Sequence, residues 1–436
     1  MNTKFPNLIV FILFSMGSIF AQQPLQLHEA ISKMKENNTQ LKVQQQEIDF
    51  SQAELAGTLS GFLPKISLSH TGFYTNDPLN SFGFKLQQKV VMQADFNPVL
   101  LNNPNEMYHF NTKLSVQQPV LNFDVFSAQK ALKEKIKATE YQKQFAEAIL
   151  TVEIKNAYTN LQFLYEAKAA IQKGILAYQE VLRNTQSMEN QGYAKPSDVL
   201  MVQVRLTEVQ NKEIEIDNNI FNLSDYLSWL MGKDSADIYI PTEKLVQNVV
   251  LNENLDFSEN RADILAMKSG LEAQNKIVSM NKKGLLPRLN AFGEFNYNDQ
   301  DIVGFGANGF MVGVSLSWDI FDGNTTFNKI KQSKITVKKA EAEMQLYIEK
   351  NQLELQKAKR DLVSNQSKIQ LAKTAKEQAE ETLRILENRY NQGLEKTSDI
   401  LVSQATDLEK QVNYLAAVKD YNLSAIQIEF LTQSTN

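Results

Sequence analysis

The sequence predicts an α+β membrane protein, with long coiled-coil helices forming a tunnel, four β-strands per protomer lent to a trimeric twelve-stranded barrel, and an internally duplicated chain. Three observations carry that expectation. Landmarks in the first half return in the second, four segments alternate apolar and polar residues, and two helical stripes run far longer than a compact domain needs.

The chain opens Met-Asn-Thr-Lys, continues as an apolar run from Leu8 to Phe20 broken by Ser15, Gly17 and Ser18, and then reads Ala21-Gln22-Gln23. That is the layout of a secretory signal peptide, residues 1–21, cleaved after the small residue Ala21. The run is too short to span a bilayer as a helix, and no later stretch approaches the required length. A sheet route into a membrane stays open, because a closed barrel satisfies its backbone groups as fully as a helix does.

There are no cysteines, which excludes disulfides, thiolate metal sites, thiol catalysis and a lipid-modified N-terminal cysteine. With 45 basic against 50 acidic residues and a formal charge of −5, the chain lacks the basic excess on which nucleic-acid binding relies. No catalytic or metal constellation is visible: His28, His70 and His109 are scattered, and no phosphate-cradling loop occurs. An enzyme, a cofactor and a bound metal are therefore not expected, and the energy for any transport must come from a partner.

The duplication is read from three landmarks. Gly61-Phe62-Leu63-Pro64 returns as Gly284-Leu285-Leu286-Pro287, Leu114-Ser115-Val116 as Val314-Ser315-Leu316, and Asn190-Gln191-Gly192 with Ser197-Asp198-Val199-Leu200 as Asn391-Gln392-Gly393 with Ser398-Asp399-Ile400-Leu401. The first recurs after about 220 residues and the others after about 200, so the first copy holds about 23 extra residues in a loop. Residues 22–231 form the first copy, 232–258 a connector with Gly232 and Pro241, and 259–436 the second copy.

Each copy has the same predicted order. A helix, Leu27–Ser60 or Arg261–Lys283, ends at the Gly-x-x-Pro break, where glycine takes a left-handed cap and proline cannot continue. Two strands follow, then a helix of nearly 70 residues, Val125–Asn190 or Thr325–Asn391, a turn at Gly192 or Gly393, and a shorter helix to Met231 or Leu431.

The strands alternate with period two. Phe310, Val312, Val314, Leu316, Trp318 and Ile320 oppose Met311, Gly313, Ser315, Ser317 and Asp319; Leu289, Ala291, Gly293, Phe295 and Tyr297 oppose Asn290, Glu294, Asn296 and Asn298, with Phe292 out of pattern. In the second strand Phe110, Thr112, Leu114 and Val116 oppose Asn111, Lys113, Ser115 and Gln117, and in the first His70 and Phe73 break the alternation. Apolar-out, polar-in strands of about ten residues fit a barrel with a wet lumen, although a half-exposed soluble sheet alternates in the same way. Four strands cannot close in lipid, so several chains must share one barrel. Two chains give an eight-stranded barrel whose interior side chains nearly fill; three leave a channel.

The helical stripes have 3–4 spacing. Leu150, Ile154, Ala157, Leu161, Leu164, Ile171, Ile175, Tyr178 and Leu182 form the first; Leu355, Ala358, Leu362, Ile369, Ala372, Ala379, Leu383, Leu386 and Tyr390 form the second, interrupted by Asn365 and Lys376. Both are coiled-coil seams, and at 1.5 Å per residue each helix reaches roughly 100 Å. Rods of that length cross a distance. A structural or adhesive coiled-coil surface protein without transport activity is the alternative, but it leaves the matched strand pairs unexplained.

With these landmarks in place, the chain resembles the TolC family of outer-membrane efflux and export channels over nearly its whole mature length. The resemblance implies a homotrimer in outer-membrane lipid, with its helical part in the periplasm. It also implies a passive conduit of a tripartite efflux or type I secretion system, docking on a periplasmic adaptor (membrane fusion) protein joined to an inner-membrane pump of RND, ABC or MFS type.

By position, Asp399 matches a family acid at the tunnel constriction, and the second acid of that ring is Val402 here. Tyr390 and Asp198 match a pair that helps hold the periplasmic end shut, while Glu395 replaces a residue that is often basic. Gly192, Lys195, Gly393 and Lys396 sit at the tips that would meet the adaptor. Both aspartates also lie in a first helical turn, where a carboxylate interacts favourably with unpaired amides, and Pro196 suits the same turn. The loop Thr75–Phe110, with Asn76-Asp77-Pro78, Asn97-Pro98 and Asn102-Asn103-Pro104, is expected to be irregular and external.

Overall fold

A computed structural model of the chain describes residues 22–234, 237–247 and 256–433; the signal-peptide segment, 1–21, lies outside them. In chain order the elements are β1 (Gln22–Leu25), α1 (Leu27–Asn37), α2 (Thr39–Gly57), β2 (Lys65–Thr75), α3 (Pro78–Gln87), α4 (Pro98–Asn102), β3 (Met107–Leu121), α5 (Phe123–Asn190) and α6 (Pro196–Leu230). There follow β4 (Ile238–Pro241), α7 (Ala262–Lys283), β5 (Arg288–Asp299), β6 (Ala307–Ser317), α8 (Thr325–Asn391) and α9 (Thr397–Thr432). The series helix, strand, strand, long helix, shorter helix therefore occurs twice. Among the described residues no helix is long and apolar enough to cross a membrane.

The chain divides into two compact units. Among the described residues, one lies within the ranges 1–43, 143–261 and 349–436, the other within 44–142 and 262–348. In the first, the predicted stripes are the packing faces. Leu150, Ile154, Leu161, Ile171 and Tyr178 of α5 are buried, as are Leu355, Ala358, Ile369, Ala379 and Tyr390 of α8. Asn365, which interrupts the second stripe, is buried and satisfied: its Nδ2 donates to Asp420 O at 3.3 Å and to Ser424 Oγ at 3.0 Å. Lys376 places its ammonium 5.6 Å from the Tyr414 ring centroid.

The first unit also holds a two-stranded parallel sheet, β1 with β4, that the sequence reading did not anticipate. Leu25 and Tyr239 join Met34, Leu150, Leu161 and Leu227 in one core, and Tyr158 donates to Leu25 O at 3.0 Å. Residues Glu243, Leu245 and Val246 are held by helices from both halves of the chain. Gln162 donates to Glu243 O at 3.0 Å, Asn422 to Val246 O at 2.9 Å, and Leu245 packs with Ile369, Val418 and Tyr421.

One helix was expected over Leu27–Ser60; two are found. Asn38 interrupts the run because its side chain serves both neighbours: Oδ1 accepts from Gln40 N at 2.8 Å, opening α2, and Nδ2 donates to Leu230 O at 2.8 Å.

The second unit is built on an antiparallel sheet of order β2-β3-β5-β6. Its register puts like with like across all four strands. Leu68, Leu114, Phe295 and Phe310 form one row, and Ile66, Val116, Gly293 and Val312 the next. On the opposite face Ser69, Lys113, Asn296 and Gly309 share a row, as do Ser67, Ser115, Glu294 and Met311. The polar face is bonded within and between its rows: Asn111 donates to its register partner Asn298 at 2.7 Å, and Lys113 pairs with Glu294 of the neighbouring row at 2.8 Å. The apolar face lies open, with Phe310 77%, Val312 72% and Leu68 72% exposed.

The three residues out of pattern each have a local cause. Phe292 lies on the polar face opposite Gly313, whose missing Cβ leaves the space its ring fills. His70, on the apolar face, bonds Thr112 Oγ1 at 2.9 Å and stacks on Phe110. Phe73 packs against the Phe84 ring from the inserted segment.

Three further expectations are corrected. The last strand ends at Ser317, so Trp318 and Ile320 lie beyond it, and the Trp318 indole donates instead to Leu285 O at 3.0 Å. Gly61 and Gly284 are not left-handed; Gly61 is required because a Cβ there would come within 2.8 Å of Val125. The segment between β2 and β3 is only partly irregular, with Asn103-Pro104 outside any helix. Asp77 and Asn97 accept from Asn80 N and Val99 N as helix caps, and Pro78 and Pro98 occupy the first helical position, so the Asx-Pro pairs start α3 and α4.

Candidate functional site: the helical tips

Where α5 turns into α6 and α8 into α9, the same closure is used twice. Gly192 has φ +79° and Gly393 φ +72°. Gly192 N donates to Glu189 O and Tyr193 N reaches back to Met188 O; Gly393 N donates to Tyr390 O and Leu394 N to Arg389 O. These paired bonds satisfy carbonyls that the helix end would otherwise leave open, and they require a left-handed residue.

The following helices start at Lys195 and Lys396, each in extended conformation. Asp198 Oδ2 accepts from Lys195 N at 3.1 Å, and Pro196 takes the first turn. Asp198 therefore has the first-turn role its position allows. Asp399 differs. Its side chain is exposed and, among the described residues, accepts only from the neighbouring Ser398 hydroxyl at 3.1 Å, with no bond to the helix start.

Tyr390, Asp198, Lys195, Gly393 and Lys396 line one cavity of about 830 Å³. Asp399 is not among them; it borders a separate groove between α8 and α9 with Thr382, Val402, Ser403 and Lys410. Gly192 lies at the turn and lines neither. Within this chain Tyr390 and Asp198 have different partners. The Tyr390 hydroxyl meets Thr185 Oγ1 at 2.7 Å, while Asp198 meets Lys195 N. Glu395 accepts from Arg389 Nε at 2.5 Å, an ion pair across the turn.

Two contributors escaped the sequence reading. Thr185 is fully buried seven residues after Tyr178, on the continuation of the seam, so its spacing was a usable signal. Asp407 is buried on α9, and Gln411 Nε2 donates to its Oδ2 at 2.7 Å. Burial pushes the Asp407 carboxyl above the usual range, and burial does the same to Glu387. Burial also lifts the Tyr178 phenol to about 12, so that hydroxyl stays protonated.

The tips contain turns, caps and paired hydroxyls, and among the described residues no group of side chains suited to holding a metal ion is found. A family profile described as outer membrane efflux protein matches residues 30–233 and 256–432. The chain is 20% identical over 413 residues to the outer membrane protein TolC of Vibrio cholerae, covering 92% of this chain and 89% of that protein. Its fold is similar to a membrane protein from Pseudomonas aeruginosa, with TM-score 0.78, 17% identity and 93% of each chain covered. It is also similar to VceC of Vibrio cholerae, with TM-score 0.75, 16% identity and coverage of 94% and 97%. A duplicated helix-and-strand chain with a two-faced sheet, matched along most of its length, belongs to the outer membrane efflux protein family.

Proposed function

We propose that three copies of this chain close a twelve-stranded barrel in the outer membrane and conduct solutes passively from periplasm to exterior. In this reading the barrel is the outlet of a tripartite efflux or type I secretion system. The helical tips, with Gly192, Lys195, Gly393 and Lys396, dock on a periplasmic adaptor joined to an inner-membrane pump of RND, ABC or MFS type. Residues 22–231 and 259–436 act as tandem copies about the 232–258 connector.

One observation carries the proposal: the sheet combines an open apolar face with two edges, β2 and β6, that have no strand partner among the described residues. An edge in lipid leaves backbone groups without partners, at several kcal/mol each. The neighbours alternate in direction, so β6 of one copy can pair antiparallel with β2 of the next without interrupting the pattern. Family membership favours this reading over an adhesive coiled coil. Asp399 serves the conduit as a tunnel-facing acid near the constriction; its exposure and its lack of a capping bond support that role. Tyr390 and Asp198 belong to the closing network at the tips.

Purified protein added to a planar bilayer is expected to give stepwise conductance, and to resist carbonate extraction in membranes. Absence of conductance at every voltage, together with release by carbonate, overturns the proposal. Because the native chain has no cysteine, Lys195→Cys and Lys396→Cys provide clean crosslinking probes for the adaptor. Asp399→Ala is expected to increase leakage of bulky antibiotics, and unchanged leakage overturns the constriction role of that residue.

A further inference from the structure

The segment inserted between β2 and β3 is not draped outside the sheet. It returns over the polar face. The Phe84 ring of α3 stacks on His109 of β3 with centroids 4.0 Å apart and planes 4° apart, and tilts against Phe73 of β2 at 5.3 Å. Phe73 and His109 are register partners on the same face as Lys113, Glu294 and Asn296. Two side chains otherwise out of place among polar rows are thus the seat on which the insert rests.

Gln88, just past α3, fastens it. Its Nε2 lies 3.2 Å from Tyr108 O, 3.1 Å from His109 Nδ1 and 3.1 Å from Asp299 O, so one buried amide ties the insert to β3 and to the end of β5. The helix then stops at Lys89, a non-glycine residue with φ 57°, and the chain turns back. The rest of the insert braces itself: Lys85 pairs with Asp95 at 2.7 Å and Phe82 meets Phe96 edge-on at 5.7 Å. Between this overhang and the strands is a cavity of about 770 Å³. Its roof includes Leu86 and Lys89, and its floor includes Lys113, Glu294, Asn296 and Met311.

We infer that residues 76–106 form a fixed roof over the external mouth of the lumen, seated by Phe84 and Gln88, which limits the size of solute that can leave. The inference rests on the channel reading, in which the polar face lines the lumen. Each subunit contributes one roof, and a helix is about 10 Å across with its side chains. Three of them cross a substantial part of the opening. The chamber beneath, floored by an ion pair and carboxamides, passes small hydrated solutes and rejects bulky ones.

The test uses the cysteine-free background. Asn296→Cys puts one thiol on the chamber floor, and intact cells are treated from outside with a small charged thiosulfonate or a polymer-linked maleimide. Thr75 and Met107 are already register partners, so residues 76–106 can be replaced by an Asn-Gly turn without moving the strands. With the roof present, the small reagent is expected to react and the bulky one to be excluded. Replacement should accelerate the bulky reagent by about tenfold or more, with Gln88→Ala giving a smaller acceleration in the full-length chain. Equal bulky-reagent rates in the roofed, roofless and Gln88→Ala forms overturn the roof. If neither reagent reacts in any form until cells are permeabilised, the lumen does not open outward, and the channel reading falls together with the roof.

Discussion

The Tyr390 hydroxyl donates to Thr185 Oγ1 across 2.7 Å, between two side chains that solvent barely reaches. The direction follows from Thr185, which donates its own proton to Val181 O at 2.7 Å and can only accept from tyrosine. Thr185→Val keeps the shape but removes the acceptor, and should destabilise the protein by about 1–3 kcal/mol, the cost of stranding a buried donor. Tyr390→Phe removes both the donor and the need for a partner. The double variant should therefore be more stable than Thr185→Val alone. Thermal unfolding of the four proteins measures the coupling, and strictly additive effects would contradict the assignment.

The two faces of β6 make opposite demands on the same chemistry. Val312 lies on the open apolar face, paired with Gly293, and Met311 on the polar face, paired with Glu294. Val312→Lys should reduce membrane-assembled protein, in keeping with a penalty of about 2–4 kcal/mol for a lysine at mid-bilayer. Met311→Lys should assemble normally. Yields of heat-modifiable oligomer in isolated membranes distinguish them, and equal yields would remove the lipid from that face.

Left-handed glycines should differ in tolerance according to their surroundings. A Cβ at Gly192 or Gly393 meets nothing within 4 Å, so alanine there should cost about 1 kcal/mol of backbone conformation alone. At Gly232, φ +67°, a Cβ would fall 2.4 Å from Asn37 O. Overpacking should then add about 1–3 kcal/mol. The expected order of thermal midpoints is wild type, Gly192→Ala, Gly232→Ala.

Asp407 and Glu387 should make the tips sensitive to pH. Their carboxyls are raised by burial, so the folded chain binds protons there more readily than the unfolded chain. Their contribution is most favourable below the ordinary carboxylate range and declines as pH rises through the raised folded values. Asp407→Asn should raise the thermal midpoint relative to wild type at neutral pH, and the gain should shrink on acidification. A gain independent of pH would assign it to packing.

Much of this architecture is legible as periodicity. The seams of α5 and α8 repeat the same spacing over nearly the whole helix, so accidental neighbours cannot hide them, and their predicted members lie buried or half-buried. Strand alternation is equally direct, because a one-residue error would put Glu294 in the row of Val312. What escaped depends on distant partners. Phe73 looks misplaced until Phe84 arrives from the insert, Phe292 until Gly313 opposes it, and the four-residue β1 is too short to announce itself before Tyr239 of β4 pairs with it. Asx-Pro pairs were the subtler case. The same dipeptide that signals a turn also supplies the cap and first residue of a helix, and only the residues after Pro78 and Pro98 decide between them. At the tips, Gly192 and Gly393 could be placed by chain order, but the bonding of Tyr390 to Thr185 could not, since it joins positions on different rods.

The open edges of the sheet have a consequence for failure as well as for assembly. A joint made between β6 and β2 is heterologous, one surface meeting a different one, so every unit added presents the same unsatisfied end as before. Only curvature brings the last end round to the first. A lesion that flattened the sheet without harming its edges would therefore yield open polymers that keep growing, and fibres rather than stranded monomers would be its signature.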